Sequence, residues 1–403
     1  MRLDFHYDIV CPYAYIASRK VEALAARTGA DLRWRPILLG GVFKALGRDP
    51  LPMRAMSAPR ARQNLLDMHR QAALADAPLT LPAEHPRRTV DTMRLLIATE
   101  GPTRVALTHA LYRAYWVEGR DVADRAVLAE IAAAHDVDPA VIETSATRDA
   151  LYAATAEAVE RGVFGVPAFW TADRLYWGAD RMHLVEAALG GKPATYSPKP
   201  PTEPPVLTLF HDFASPFSYL AALEAERVAA AHGARLEWRP ILLGALFRAI
   251  GTPDVPLFEM PAAKRRYVTR DLHDHARLRD VPFRFPSRFP IRTVRPLRAA
   301  LVEPRLTVPL YRAAWADDRP IDDEATLAAI ITEQGHDAAA ILAATDTPAI
   351  KDALRHNTER AHHAGACGVP TFEVRAAPHA DPILFWGQDR IEMVERALDG
   401  WRP

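Results

Sequence analysis

The chain has 403 residues, more than one ordinary hydrophobic core accommodates, so its length predicts two domains. Its 50 Lys and Arg residues balance its 50 Asp and Glu residues, and the formal net charge of +0 provides no overall positive field to gather nucleic acid. No run of apolar residues is long enough to span a membrane, and the N-terminal MRLDFHYDIV lacks the basic end and apolar block of a signal peptide. We therefore expect a cytoplasmic protein that binds neither nucleic acid nor a membrane.

The chain contains two cysteines, Cys11 and Cys367, which lie in different halves. Two cysteines cannot build a disulfide framework, which favours a reducing compartment over secretion. No cysteines share a short spacing and no His-Glu-x-x-His is present, so we expect no bound metal. Cys367 stands three residues before the proline of a Gly-Val-Pro motif, where the first half has Phe164, and we expect it to be buried in place of that ring.

The first half begins with the pattern of a short strand, LDFHYDIV. A run rich in Ala, Leu and Glu follows over residues 15–27, with the apolar spacing of a helix that Gly29 ends. The sequence ADLRWRPILLG then alternates as a second strand. Because a strand-helix-strand crossover is right-handed and returns the chain in the same direction, the two strands are predicted to be parallel.

Residues from about 50 to 160 are dominated by the helix-forming residues Ala, Leu, Arg and Glu, with prolines between the runs, which predicts an all-helical block. After it, VFGVPAFWTADRLYWG contains two strand patterns joined by a polar turn, and residues 179–189 are predicted to form a final helix. The order of this half is β-α-β, a helical block, then β-β-α. That order is a thioredoxin core with a helical insertion.

The second half of the chain repeats the first. Residues 3–47 align with residues 207–251 without a gap, and 21 of the 45 positions are identical. The shared order continues through PRRTV and PIRTV, LYRAYW and LYRAAW, GVP in both halves, and WGADR and WGQDR. A period of about 200 residues indicates duplication of a whole domain.

We therefore predict an α/β protein made of two tandem thioredoxin-like domains (β-α-β … β-β-α), each with an all-helical insertion. The first domain covers residues 1–189, with its insertion at about 50–160. The second covers residues 206–403, with its insertion at about 254–360. The stretch GGKPATYSPKPPTEPP, residues 190–205, is rich in Pro and poor in apolar residues, so we expect an unpacked linker.

One motif, at the turn from the first strand into the first helix, differs between the halves in the atom that could do chemistry. The first half reads HYDIVCPYAYIA and the second HDFASPFSYLA, so Cys11 aligns with Ser215. A residue at such a turn faces unpaired backbone N–H groups and the positive end of the helix dipole, which should lower the pKa of the Cys11 thiol. Position 14 is Ala14, so a mixed disulfide at Cys11 would need an external thiol to resolve it. The alternative is that Cys11 is a buried small apolar residue.

The motifs of both halves resemble those of the DsbA-like thioredoxin-fold group, and within it the kappa-class glutathione transferases and the 2-hydroxychromene-2-carboxylate isomerases. The second half is the more similar one, because DFASPFSYLA, WRPILLG, FPIRT, GVPTF and FWGQDR follow the family's order over nearly all of residues 207–403. The first half has Cys-Pro-Tyr-Ala where the second has Ser-Pro-Phe-Ser, a departure from the isomerases toward their redox relatives.

The resemblance implies a glutathione site in each half, formed around a proline loop. It implies a cis peptide bond before Pro167 and before Pro370. The preceding residues, Val166 and Val369, would then offer their backbone N–H and C=O groups to the cysteinyl part of glutathione, as a short added strand.

Charged residues complete the site that the resemblance implies. Asp180 and Asp389, at the start of the last helix of each half, would hold the γ-glutamyl amine of glutathione. Lys264 corresponds to a lysine near glutathione in the family, and the first half has Arg60 at that position. Each of these charges could instead be an ordinary solvated helix residue.

Ser215 cannot ionise at neutral pH, but its hydroxyl could donate a hydrogen bond to the sulfur of bound glutathione. Together with the helix dipole it would stabilise the thiolate of the cofactor, so the change from Cys11 to Ser215 would move the thiolate from the protein to glutathione. The alternative is that Ser215 is a plain N-cap, a position that serine favours.

Three functions stay open on this evidence. The first is a glutathione-dependent isomerase or transferase acting on an unsaturated aromatic or otherwise electrophilic substrate, whose carboxylate Arg88, Arg292 and Arg295 would hold. The second is a monothiol thiol-disulfide oxidoreductase acting through Cys11. The third is a pair of binding modules that hold thiol peptides without turnover. The protein could form a homo-oligomer, or the fused halves could stand in for a dimer.

Overall fold

The computed structural model of the chain describes residues 1–49, 56–201, 203–253 and 255–402. Contacts divide the chain into two compact units. The first unit comprises Met1–Ala55 and Leu66–Ala194, and the second unit comprises Met56–Leu65 and Thr195–Pro403. No helix in the described part of the chain is long and apolar enough to cross a membrane.

The helices and strands up to residue 188 follow the predicted order. They are β1 Arg2–Tyr7, α1 Pro12–Thr28, β2 Asp31–Pro36, α2 Leu39–Ala45, α3 Ala58–Leu74, α4 Val90–Ile97, α5 Gly101–Trp116, α6 Arg125–Ala133, α7 Ser145–Glu160, β3 Ala168–Thr171, β4 Arg174–Trp177 and α8 Met182–Ala188.

The elements from residue 206 onward repeat this order with one additional helix. They are β5 Val206–His211, α9 Pro216–Ala231, β6 Arg235–Pro240, α10 Leu243–Ala249, α11 Ala262–Leu278, α12 Val294–Val302, α13 Thr307–Trp315, α14 Glu324–Glu333, α15 Ala338–Ala344, α16 Pro348–His363, β7 Thr371–Arg375, β8 Ile383–Trp386 and α17 Ile391–Leu398.

Each unit contains a four-stranded mixed sheet, in the order β2-β1-β3-β4 in the first unit and β6-β5-β7-β8 in the second. β1 pairs in parallel with β2, with Leu3 opposite Leu32, and β3 is antiparallel to both β1 and β4. The second sheet has the same pairing, with Leu207 opposite Leu236. The parallel crossover and the antiparallel hairpin confirm the predicted pair of thioredoxin-like folds.

The segments between β2 and β3 and between β6 and β7 are helical, with no strand among their described residues. The first of these helices begins earlier than the predicted insertion, at Leu39 in one unit and Leu243 in the other. The sequence PILLG contains glycine and gives little helical signal. The start of this helix is stabilised instead by a side chain that is distant in the sequence, since the backbone N–H of Leu39 donates to Asp8 at 2.8 Å.

The central strand of the first unit is buried along most of its length, and its core is aromatic. Leu3, Phe5 and Tyr7 are fully buried. The ring of Phe5 lies 5.0 Å from that of Trp34 and 5.3 Å from that of Phe169. Each fully buried side chain of this kind contributes about 2 kcal/mol through apolar burial. This layer holds the carboxyl end of β1, from which the chain turns into α1.

α1 begins three residues earlier than predicted, at Pro12. Proline suits this position because the first helical residue needs no N–H partner and the ring already fixes a helical φ. Gly29 ends the helix as predicted, in the left-handed conformation at φ 63°. The predicted last helix of the first unit starts as a single 3₁₀ turn, Ala179–Arg181, before α8.

The predicted linker is held against the second unit at two residues. Tyr196 donates its hydroxyl to Asp399 at 2.8 Å, and the backbone N–H of Lys199 donates to the same carboxylate at 2.9 Å. Asp399 also contacts the buried ring of His232 at 2.7 Å. These contacts give part of the linker a fixed path that its composition did not indicate.

Candidate functional site

The strand-to-helix turn has the same backbone geometry in both units. Cys11 is the N-cap of α1, with φ −94° and ψ 115°, and Ser215 is the N-cap of α9, with φ −105° and ψ 118°. In each turn the N-cap backbone N–H donates at 3.1 Å to the carbonyl of a residue three positions earlier, Asp8 or Asp212. The Cys11 side chain and the Ser215 side chain therefore each lie at the N-terminus of a helix, where the first backbone N–H groups have no partner within the helix.

The proline loop lies directly beside this turn in each unit. The peptide bonds Val166–Pro167 and Val369–Pro370 are both cis, as predicted. The Cys11 thiol donates to the carbonyl of Val166 at 3.1 Å, and the Ser215 hydroxyl lies 3.4 Å from the carbonyl of Val369. The structure thus brings together, in each unit, the N-cap residue and the residue before the cis proline.

The two N-cap side chains interact differently with their helices. Ser215 caps α9, because its oxygen accepts a hydrogen bond from the backbone N–H of Ser218 at 3.2 Å. Cys11 makes no side-chain cap bond to α1. Ser215 is therefore an N-cap, which was one of the two roles expected from the sequence. Its O–H can still donate a hydrogen bond.

The expectation that Cys11 has an acidic thiol is wrong in this structure. Burial raises the pKa of the Cys11 thiol to about 12, although the backbone N–H groups of Ala14 and Tyr13 act in the opposite direction. Only 6% of the residue is exposed. Loss of water around the sulfur therefore outweighs the helix N-terminus, and the thiol is protonated at neutral pH.

The second loop of each candidate site joins the cis proline to the predicted aspartate. The N–H of Gly178 donates to the carbonyl of Pro167 at 3.0 Å, and that of Gly387 donates to the carbonyl of Pro370 at 3.0 Å. Asp180 follows the first glycine, and its carboxylate contacts Arg181 at 3.1 Å. In the second unit the pair is Asp389 with Arg390, 3.0 Å apart.

Both glycines of these loops are required by their backbone and surroundings. Gly178 has φ +109° and Gly387 has φ +118°, conformations that other residues rarely adopt. A Cβ atom at these positions would lie 2.4 Å from the Asp180 carboxylate or 2.5 Å from that of Asp389. The close approach fixes the position of each carboxylate beside the proline loop.

Two buried aspartates connect the strand-to-helix turn to the rest of each unit through hydrogen bonds. Neither was among the site residues predicted from the sequence. Asp8 accepts hydrogen bonds from Thr89 at 2.7 Å and from the backbone N–H groups of Leu39 and Val10. Burial raises the pKa of Asp8 to about 6, against the opposing effect of these donors. Asp8 is one of the identical positions of the two halves, which is the signal that could have identified it.

Asp212 makes the equivalent contacts in the second unit. It accepts from Thr293 at 2.6 Å and from the backbone N–H groups of Leu243 and Ala214 at 2.9 and 3.0 Å. Burial raises its pKa as well. A carboxylate three residues before the N-cap thus joins three segments of each unit.

The three arginines predicted to bind a substrate carboxylate are not equivalent. Arg88 and Arg292 are exposed, and each precedes the threonine that binds the buried aspartate, which places it in the segment tied to the turn. Arg295 pairs with Glu324 and lies 3.6 Å from Asp346. Its charge is therefore already balanced, while the substrate roles of Arg88 and Arg292 stay predictions.

Lys264 and Cys367 have distinct surroundings in the second unit. Lys264 lies in the first turn of α11 and is half-buried, and its glutathione role stays a prediction. Cys367 is buried, as expected, and burial raises its pKa to about 12, whereas the charge of Arg60 acts to lower it. The guanidinium of Arg60, which belongs to the second unit, lies 5.6 Å over the ring of Trp386.

Among the described residues, no group of three or more His, Cys, Asp or Glu side chains is arranged to hold a metal ion.

In the same part of the chain, the backbone N–H groups of Val166 and Val369 have no hydrogen-bond acceptor. An unpaired N–H beside a cis proline is suited to an extended ligand.

Comparisons with known proteins show the family to which both halves of the chain belong. The family model described as a DSBA-like thioredoxin domain matches the chain twice, over residues 2–190 and 206–399. A 2-hydroxychromene-2-carboxylate isomerase of Sphingobium xenophagum is 28% identical over 191 residues, which are 46% of this chain and 97% of that protein. Glutathione S-transferase kappa 1 of Rattus norvegicus is 27% identical over 221 residues, which are 50% of this chain and 95% of that protein.

A solved structure of a 2-hydroxychromene-2-carboxylate isomerase is 25% identical to this chain, with a TM-score of 0.41, and the match covers 47% of this chain and 95% of that one. Almost the whole length of each of these relatives corresponds to about half of the present chain. The resemblance inferred from the motifs is confirmed, including the duplication.

Proposed function

We propose that this chain, which belongs to the family of DSBA-like thioredoxin domains in both of its halves, is a glutathione-dependent isomerase or transferase. The observation that carries the proposal is the position of Ser215, whose hydroxyl stands at the N-terminus of α9 and next to the carbonyl before the cis proline. The names of the similar isomerase and kappa-class transferase support the same class of enzyme.

The residues around Ser215 fit a bound glutathione. The backbone N–H of Val369 would pair with the cysteinyl part of the tripeptide, Pro370 would shape that loop, and Asp389 would hold the γ-glutamyl amine. Lys264 would provide a cation for a carboxylate. Val166, Pro167 and Asp180 would form the corresponding set in the first unit.

Bound glutathione would supply a thiolate that adds reversibly to the C=C bond of an unsaturated carbonyl substrate and leaves again, with no net oxidation or reduction. The chain's part is to stabilise that negative sulfur. The Ser215 O–H would turn from the carbonyl of Val369 toward it. The present 3.4 Å separation is long for an O–H···O hydrogen bond, so little interaction is lost in this turn.

Arg88 and Arg292 would hold the carboxylate of a substrate beside the two turns, in the bidentate manner that suits a guanidinium. Each is exposed. Each is also one residue from the threonine that fixes the buried aspartate, so the position of its backbone is set by the same network as the turn. We include no role for Arg295, because its charge is balanced by acidic neighbours.

The thiol-disulfide alternative needs an activated thiol at Cys11. Burial opposes this, because it raises the pKa of that thiol to about 12. A thiolate-selective alkylating reagent should therefore modify Cys11 slowly at pH 7 to 9, and rapid modification in that range would restore the alternative.

The test of the proposal is the Ser215→Ala variant, assayed for glutathione-dependent isomerisation of 2-hydroxychromene-2-carboxylate. We expect turnover to fall roughly 10- to 100-fold, because a hydrogen bond to a charged group is lost, while stability falls by about 1 kcal/mol through loss of the N-cap. The matched control is Asp337→Ala, which removes the N-cap of α15 in the same unit, where Asp337 accepts from Ala340.

Asp337→Ala should lower stability to a similar degree and leave turnover nearly unchanged. Equal turnover in Ser215→Ala and the wild type would refute the role of Ser215. Equal losses of turnover in the two variants would show that only stability had changed.

A further inference from the structure

One segment beside the candidate site has the same anchors but different chemistry in the two units. In the second unit this segment is residues 282–289, between α11 and α12. We call it the wall segment, together with its counterpart, residues 78–85 of the first unit. The Tyr219 hydroxyl, one helical turn beyond Ser215, donates to the carbonyl of Pro282 at 2.6 Å.

A second anchor lies on the other side of the turn. The indole N–H of Trp315 donates at 2.8 Å to the carbonyl of Phe213, two residues before Ser215. The backbone N–H of Arg284 donates to the carbonyl of Trp315 at 2.7 Å. The wall segment is therefore joined to both flanks of the Ser215 turn, directly through Tyr219 on one side and by way of Trp315 on the other.

The first unit has the same two anchors. The Tyr15 hydroxyl donates to the carbonyl of Pro78 at 2.9 Å, and the Trp116 indole donates to the carbonyl of Ile9 at 2.9 Å. The backbone N–H of Thr80 donates to the carbonyl of Trp116 at 2.7 Å. The positions along the two wall segments can therefore be compared one by one.

In the second unit the wall segment is built of phenylalanines around Trp315. Phe283 stacks on Trp315 at 6.1 Å, and Phe285 meets it edge-on at 5.6 Å. Phe289 lies 6.3 Å from Trp315 and 5.1 Å from Phe285. Phe285 and Phe289 are only half-buried, and Phe258, which contacts Phe289, is 55% exposed. An aromatic surface therefore extends from the buried tryptophan to solvent.

In the first unit the same positions hold Leu79, Leu81 and His85. His85 shares a 2.9 Å hydrogen bond with the hydroxyl of Tyr115, which also accepts from the backbone N–H of Arg87 at 3.1 Å. The half-buried imidazole of His85 therefore provides a ring nitrogen, Nε2, that can form a hydrogen bond, where the second unit has only the carbon atoms of Phe289.

A second difference accompanies the change at His85. Tyr115, fully buried, aligns with Ala314 in the repeated motif LYRAYW and LYRAAW. The second unit therefore lacks both the imidazole and the phenol that contacts it, and the larger ring of Phe289 occupies the position of His85. The two differences together replace every polar side-chain atom of this pair by carbon.

We propose that the two units have diverged in acceptor specificity at the wall segment. In the second unit Phe285 and Phe289 take a planar apolar group, and in the first unit His85 takes a polar group that hydrogen-bonds to its imidazole. This inference rests on the proposed function, because it assumes a glutathione sulfur at each turn. Stacking on partly exposed rings favours a planar apolar group, whereas an imidazole nitrogen favours a group that can hydrogen-bond to it.

The test uses the full chain and calorimetric titration with two probes, S-benzylglutathione and S-methylglutathione. The double variant Phe285→Leu with Phe289→His gives the second wall segment the residues of the first. It should weaken binding of the benzyl probe at one site roughly 10-fold, whereas the methyl probe, which is too short to reach the wall, should bind as before.

The reciprocal variant, Leu81→Phe with His85→Phe and Tyr115→Ala, guards against a variant that fails to fold. It should create a second site that prefers the benzyl probe. Unchanged preference for the benzyl probe in both variants would overturn the inference and leave the proposed function standing. If the wild type bound neither probe, the proposed function would fail, and the inference with it.

Discussion

The Cys11 turn and the Ser215 turn share a backbone geometry, and their N-cap side chains differ in one atom. Each begins a helix with a proline at its first position, and each places its N-cap side chain against the carbonyl before a cis proline. Yet the thiol is protonated and points its hydrogen at the carbonyl of Val166, whereas the hydroxyl of Ser215 caps its helix.

The difference shows that a helix N-terminus does not activate a thiol when water is excluded. At Cys11 burial raises the pKa to about 12, and the N–H groups of the first turn cannot compensate. A serine at the same place carries no charge to desolvate. It can serve a thiolate that arrives with a ligand, and this is why we assign the chemistry to the second turn first.

The largest expected effect comes from removing the buried aspartate that both turns contain. Replacing Asp212 by Ala would leave the Thr293 hydroxyl and the Leu243 N–H without their acceptor, and we expect a loss of about 4 kcal/mol of unfolding free energy in the second unit. Chemical denaturation followed by tryptophan fluorescence measures this loss.

Asp8→Ala should destabilise the first unit by a similar amount, because Asp8 has the same contacts. Thr89→Val, which removes one donor and keeps the carboxylate, is the milder control. Strongly unequal effects of the two aspartates would contradict the equivalence of the turns.

The next effect concerns the loops that hold Asp180 and Asp389. Gly387→Ala places a Cβ 2.5 Å from the Asp389 carboxylate at a φ of +118°, so we expect a cost of about 3 kcal/mol and a displaced carboxylate. Glutathione binding by calorimetry should weaken at one site. Gly244→Ala is the control, because a Cβ at Gly244 meets no atom within 4 Å. Equal glutathione affinity in both variants would show that Asp389 does not contact the ligand.

A smaller effect, on the pH dependence of stability, distinguishes the thiol of Cys11 from a serine hydroxyl at the same position. The pKa of the Cys11 thiol is about 12 in the folded chain, above its reference value of about 8.5, so the folded state binds the proton more tightly. The stability that this provides is complete below pH 8.5 and is lost as the pH rises toward 12. Between pH 8.5 and 10, the stability advantage of the wild type over Cys11→Ser should fall by about 2 kcal/mol.

Cys367→Ser should change the pH dependence of the second unit in the same way, since burial also raises the pKa of Cys367 to about 12. Denaturation curves at several pH values measure both effects. A difference between Cys11→Ser and the wild type that did not vary with pH would mean that Cys11 titrates as an exposed thiol.

The features of the fold that could be predicted from the sequence are those that repeat or lie close together in the chain. The strand over Arg2–Tyr7, the helix after it and the parallel return followed from apolar spacing and from the duplication. The turn at Cys11 and Ser215 followed from a short motif, which depends on neighbours only a few residues away. The cis bonds at Pro167 and Pro370 were implied by the resemblance to the family.

The features that could not be predicted from the sequence depend on residues far apart in the chain. Asp8 gains its role from Leu39 and Thr89, which are 31 and 81 residues away. The protonated state of Cys11 depends on burial beside Val166, which is 155 residues away, and a local motif contains no information about water. Arg295 was assigned to a substrate although Glu324, on another helix, balances its charge.

The pKa of glutathione bound to the second unit tests the account most directly. It is obtained from the far-ultraviolet absorbance of the thiolate across pH, for the Cys11→Ala chain with and without Ser215→Ala. We expect a bound thiol with a pKa well below the reference of about 8.5 while Ser215 is present, and a rise of about 1 to 2 units when it is absent. A bound thiol that titrates like free glutathione in both chains would contradict the claim that this turn stabilises a thiolate.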